Sequence, residues 1–214
     1  MIGKSRPRVA VIGNMNNNSN NLVRYLEDAG LMCEVLFFSN EADHFSPEAD
    51  NLRPPVYKWR KLSWGSYRQL FTTSVGTIRQ DVEPYDFLIG SRLAPSYLEK
   101  AGIKLDLFMP TGGELHMLPM FSGYAFKDLV KFIFFSRLQR KGIRSSKAIY
   151  WDSTNDETEE KISDVLSGLN RMRHAIPAIY YPDYEGSSLV EWQRCSLWLD
   201  RFQEARKDSD SFFF

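Results

Sequence analysis

Apolar and polar positions alternate along this chain in blocks rather than residue by residue. Val9–Ile12 is a continuous apolar run. Such a run, with no polar partner positions, is what a strand buried on both faces leaves in a sequence. After Gly13 come Asn14, Asn16, Asn17, Asn18, Asn20 and Asn21, and then Leu22, Val23, Leu26 and Ala29 at helical spacing. Ser19 or Asn18 is the expected cap of that helix and Gly30 its end. The series continues with strand Met32–Phe38, an acidic and proline-rich loop over 39–55 expected to be exposed, and a short strand over 56–62. A helix over 66–81, strand Asp86–Gly90, helix Pro95–Ala101 and strand Leu105–Met109 follow. A long helix over 124–141, strand Ala148–Trp151, helix Asp156–Leu169 and strand Ala178–Tyr181 complete it. This alternation predicts an α/β fold: a Rossmann-like parallel sheet with helices on both faces.

Residues 1–186 read as one such domain. In 187–214 the pattern changes to a helix over 188–207 followed by a polar turn and Phe212–Phe214. Three phenylalanines would together contribute several kcal/mol if buried, at roughly 1.5–3 kcal/mol each, and a lone terminus offers little room for that. The expectation is therefore a linker helix and the first strand of a further domain. A native tail packed on the core is the alternative.

Composition narrows the function classes. Lys+Arg and Asp+Glu both number 27, so no global charge bias points to nucleic acid. Cys33 and Cys195 are too few and too far apart for a disulfide framework or a zinc site. The run Phe132–Phe135 is far shorter than a membrane span, and the apolar run after Lys4, Arg6 and Arg8 is too short for a signal peptide. A cytoplasmic protein is expected. The stretch 124–147 combines Lys127, Lys131, Arg137, Arg140, Lys141, Arg144 and Lys147 with interleaved Phe and Leu. It is either a core helix with basic ends or one that lies peripherally on an anionic membrane.

In an open parallel sheet, ligands bind beyond the carboxyl ends of the strands. The loops to inspect are therefore 13–21, 39–41, 90–92, 110–115, 152–154 and 182–186. The first lacks the G-x-G-x-x-G of a dinucleotide site, since only Gly13 is present. Its asparagines bring amide donors and acceptors suited to sugar hydroxyls; the alternative is a solvated turn that caps the next helix. Thr111-Gly112-Gly113-Glu114, with His116 beyond, offers close backbone approach and a carboxylate. Here too a plain Gly-Gly turn with Glu114 complementing a helix dipole remains open.

Taken in order, these pieces resemble the N-terminal half of GT-B glycosyltransferases, especially the retaining group called family 4. The segment "VAVIGNMNNNSNNLVRYLEDAG" resembles their first strand, Gly-containing loop and helix. "DFLIG" resembles their Asp-led strand, "TGGEL" their H-G-s-E-like loop, and "IYWDST", with Ser153, a later Ser-ended strand. "AIYYPDYEG" resembles the hinge. Thr111 stands where many members have His, and Asp183-Tyr184 where Asn-Gly is common. The resemblance implies an acceptor-side domain whose cleft is lined by Gly13, Asn14, Asn16, Asn17, Asn18, Arg92, Thr111, Gly112, Gly113, Glu114, His116 and Ser153. It implies no metal and no cofactor on this domain. A nucleotide-sugar donor would bind a C-terminal domain carrying the E-x7-E motif, and the acceptor would be a sugar or lipid-linked hydroxyl acceptor. This segment alone would be inactive. The rivals are a sugar-nucleotide epimerase of GT-B architecture and a non-catalytic flavodoxin-like interaction domain.

Overall fold

A computed structural model describes residues 6–14, 18–42, 57–110, 126–150 and 167–172. Its strands are β1 (Arg8–Ile12), β2 (Met32–Phe37), β3 (Lys58–Lys61), β4 (Phe87–Gly90), β5 (Leu107–Phe108), β6 (Ala148–Tyr150) and β7 (Asn170–Met172). The helices are α1 (Asn18–Asp28), α2 (Gln69–Thr72), α3 (Val75–Val82), α4 (Ala94–Ala101) and α5 (Phe126–Ser145). The seven strands form one sheet in the order β3-β2-β1-β4-β5-β6-β7, and every pairing is parallel. This is the Rossmann-like α/β fold.

Both faces of the central sheet are covered, which is why β1 and β4 are largely apolar, whereas the outer strands β3 and β7 carry polar residues. Val9, Val11, Val35 and Phe37 point to one side and pack on Leu22, Val23 and Leu26 of α1. Ala10, Ile12 and Leu36 point to the other, against Ile78 of α3, Tyr97 and Leu98 of α4, and Phe135 and Ile143 of α5. Each fully buried Leu, Ile or Phe contributes about 1.5–3 kcal/mol relative to exposure. Helices α4 and α5 approach so closely that a Cβ on Gly142 would lie 2.1 Å from the Pro95 carbonyl oxygen.

Several expectations are corrected. The helix over 66–81 is two helices. Ser74 is extended (φ −71°, ψ 151°) and its hydroxyl accepts the Thr77 N–H, so it caps α3 and breaks the run. The expected cap of α1 also moves, because the Ser19 hydroxyl donates back to the Gly13 carbonyl at 2.6 Å. The Asn14 side chain instead accepts the Ser19 N–H at 3.1 Å. Helix Asp156–Leu169 does not reach Leu169: Ser167 and Gly168 form a turn, with Gly168 at φ +77°, and β7 follows. Most of that helix, strand Ala178–Tyr181, the hinge and residues 187–214 lie outside the described residues.

Candidate functional site

The order of the strands fixes where a ligand edge would be. Strand β1 lies between β2 and β4, and the chain winds outward in both directions from there. The crevice at this reversal, beyond the carboxyl ends of β1 and β4, is where open α/β sheets take ligands. Residues 13 and 14 follow β1, and Ser91 and Arg92 follow β4.

Gly13 is required for this junction. It sits at φ +83°, and a Cβ there would meet the Ser91 hydroxyl at 2.6 Å and the Phe38 ring at 2.7 Å. The close approach brings the ends of β1, β2 and β4 together. Into that space turns Glu41, a buried carboxylate whose side chain is only 1% exposed. One oxygen accepts the Asn14 N–H at 2.6 Å and the other the Phe38 N–H at 2.9 Å. The Arg92 guanidinium stands 3.6 Å from the first of these oxygens. One side chain thus ties the turns after three strands.

Two forces oppose each other on this group. Burial pushes the Glu41 carboxyl up to about 7, against the two backbone N–H groups and Arg92, which draw it down. Arg92 has its own cost. It is the non-glycine residue with positive φ (+52°) among the described residues, a conformation that costs an L-residue on the order of 1–2 kcal/mol. The neighbouring helix holds it there: Gln139 of α5 donates to the Arg92 carbonyl at 2.8 Å and accepts the Ser96 hydroxyl through its own oxygen. Gln139 is fully buried.

Glu41 also explains what this edge is not arranged to do. A dinucleotide loop offers its backbone N–H groups to phosphate oxygens. Here the Asn14 N–H already meets a protein carboxylate, and a second anion at that amide would be repelled.

The structure therefore brings Gly13, Asn14 and Arg92 together. Asn14 is fully buried, and its side chain serves the start of α1. Asn18 is the first residue of α1 and is partly buried. Asn16, Asn17, Thr111, Gly112, Gly113, Glu114, His116 and Ser153 lie outside the described residues. Glu41 is not among the twelve residues expected to line the cleft, and it is buried, while Asn40 and Ala42 beside it are exposed as expected of that loop. Its signal was an acidic residue just past the second strand, and its partners stand 3 and 27 positions away.

No protein-family model and no curated protein matches the chain. Solved structures do match. UGT89C1 of Arabidopsis thaliana, complexed with UDP-L-rhamnose, aligns over 88% of this chain and 56% of its own at 13% identity and TM-score 0.45. UGT73P12 of Glycyrrhiza uralensis, complexed with glycyrrhetinic acid 3-O-monoglucuronide, aligns over 86% and 51% at 11% identity and TM-score 0.48. A putative epimerase from Bacteroides thetaiotaomicron aligns over 71% and 73% at 13% identity and TM-score 0.38. The chain spans about half the length of the first two. Likenesses this distant carry no argument about activity, and the fold assignment rests on the sheet itself.

Proposed function

We propose that this chain is the acceptor-side domain of a GT-B glycosyltransferase of the retaining type, which moves a sugar from a nucleotide donor to a hydroxyl acceptor. One observation carries the reading beyond the sequence resemblance. At the switch point of a Rossmann-like sheet, the amide that would meet a phosphate is held by Glu41, while Arg92 stands beside it. That edge suits a polar acceptor better than a dinucleotide. The nucleotide sugar then belongs to a second domain beyond residue 214, and residues 1–214 are inactive alone. No covalent nucleophile is invoked; hydrogen bonds and dipoles stabilise the oxocarbenium-like state and the departing phosphate.

In this reading Gly112, Gly113 and Glu114 line the cleft with Arg92 and the asparagine loop. Intact mass in the native source is the first test, and a species about twice this length is expected. Replacing Glu114 with Ala in that full-length protein lowers turnover while the domain stays folded by circular dichroism. Undiminished turnover removes Glu114 from the cleft. Conversion of a nucleotide sugar with no acceptor present would favour the epimerase reading instead. A native species ending at Phe214 would leave a binding module.

A second contact, with an anionic membrane surface, is favoured by the outer face of α5. Ile133 and Phe134 are exposed there, and the Phe134 ring packs at a tilt of 40° against the exposed Phe71 of α2, 5.8 Å between centroids. Arg137, Lys141 and Arg144 share that exposed face, and residues 133–147 contain no acidic residue. Among the described residues no helix is long and apolar enough to cross a membrane. The proposed contact is a peripheral one, in which a cytoplasmic enzyme meets a lipid-linked acceptor. Sedimentation with phosphatidylglycerol vesicles should fall on Phe134→Ser and with added salt. Equal sedimentation of the variant would end this part of the proposal.

A further inference from the structure

The turn that leaves β4 takes the costlier of two shapes open to it. Ser91–Ala94 is closed by the Ala94 N–H, which donates to the Ser91 carbonyl at 3.0 Å, and Arg92 and Leu93 stand at its centre. Leu93 sits at φ −94°, ψ 0°, which suits the second central position of a type I or a type II′ turn alike. The two types differ at the first central residue. Type I holds it at negative φ, which most residues accept; type II′ holds it at positive φ and takes Gly, Asn or Asp. Arg92 is at φ +52°. An arginine has no reason of its own to be there, so a neighbour selects the shape.

Gln139 is that neighbour. It is fully buried on the face of α5 that also carries Phe135 and Ile143, both part of the apolar core. The tight approach of Gly142 to Pro95 brings this face within reach of the turn. Leu or Met would fill the same place with no amide to satisfy. The Gln139 Nε2 donates to the Arg92 carbonyl at 2.8 Å, and its Oε1 accepts the Ser96 hydroxyl. The two ends of the amide cannot be exchanged: a carbonyl only accepts, so the nitrogen must face Arg92 and the oxygen is left to Ser96. A donor fixed against that carbonyl holds the peptide plane between Arg92 and Leu93.

We propose that Gln139 is the positioning residue of the ligand edge. By holding the Arg92 carbonyl it keeps the turn in its left-handed form, and so sets the direction in which the Arg92 side chain leaves the turn toward Glu41. Ser96 acts one step further back, by keeping the Gln139 amide turned the right way. The effect on turnover rests on the reading of this edge as an acceptor edge; the effect on the turn does not.

The test is NMR of the 214-residue chain. A residue at positive φ brings its own amide proton and Hα together, and the strong intraresidue NOE this gives is absent at negative φ. Gln139→Glu keeps the size of the side chain and makes the donor depend on pH. As a buried neutral acid it still donates to the Arg92 carbonyl; once ionised it only accepts. The Arg92 NOE should be strong in the parent throughout. In Gln139→Glu it should be strong at pH about 5 and fade toward pH about 9 as the carboxyl carbon shift reports ionisation. Gln139→Met, of similar volume and without a donor, should lack it at both. Ile143→Val thins the same face of α5, leaves the amide alone and should keep it. An NOE retained in Gln139→Met, or lost equally in Ile143→Val, would overturn the proposal. Should Gln139→Met fail to fold, Gln139→Glu decides: absence of the NOE at pH about 5, or its persistence in the ionised form, would overturn it. In the full-length enzyme Gln139→Met should raise the acceptor KM about fivefold or more and leave the donor KM within about twofold. A lost NOE with an unchanged acceptor KM would overturn the positioning role. No transfer by the parent enzyme would instead remove the acceptor reading and leave the result on the turn standing.

Discussion

The two edges of the sheet solve one problem with different consequences. At the amino edge, Asp86 and Asp106 stand just before β4 and β5 and accept the N–H of the neighbouring strand. Asp86 takes that of Arg8 at 2.7 Å and Asp106 that of Leu88 at 2.8 Å, with Lys147 adding an ion pair to Asp106 at 2.6 Å. The backbone there is relaxed. At the carboxyl edge Glu41 does similar work, accepting two amides, yet it is pushed toward neutrality and its cationic neighbour is strained. A carboxylate that only finishes a sheet needs neither feature. The difference separates an edge that closes the fold from an edge that can respond to a ligand.

The comparison breaks most readily at Gly13. Gly13→Ala combines a left-handed residue with overpacking against Ser91 and Phe38, and should cost about 2–5 kcal/mol in urea unfolding. A cost below about 1 kcal/mol would mean that the three turns are not tightly joined.

The pH dependence of stability sharpens it further. The folded pKa of Glu41 lies above its ordinary value of 4.5, so folding takes up a proton between the two. Its contribution is complete below about 4.5 and is lost as pH rises through about 7, a fall on the order of 3 kcal/mol. Glu41→Gln should flatten that fall in denaturant midpoints measured across the range. An unchanged profile would show that the acid is not desolvated as described.

At the other edge, Asp106→Ala leaves the Leu88 N–H without its side-chain acceptor. It should cost about 1–3 kcal/mol in urea unfolding. The smallest effect isolates the strain itself: Arg92→Gly should be more stable than Arg92→Ala by about 1 kcal/mol, since both lose the guanidinium and only Gly tolerates φ +52°. Equal stabilities would mean that Arg92 relaxes.

What could be read from the sequence follows the physics of burial. Strands β1, β2 and β4 are buried on both faces, so they announce themselves as apolar runs. Strand β7, Asn170–Met172, is a three-residue edge strand with two polar residues and carries no such signal. The break between α2 and α3 depends on one Ser side chain meeting one amide, which no periodicity shows. Gly13 and Arg92 were legible as loop residues at the right strand ends, but the strain at Arg92 was not. Glu41 was hidden for a related reason: in an acidic loop it looks solvated, and only the crossing of three strand ends turns it inward.

The central claim is tested most directly by assaying the full-length protein for sugar transfer from a panel of nucleotide donors to hydroxyl acceptors, with the anomeric configuration of the product determined by NMR. The account predicts an acceptor-dependent product that keeps the donor's anomeric configuration, and no turnover by residues 1–214 alone. Conversion without an acceptor, an inverted product, or turnover by the isolated segment would contradict it.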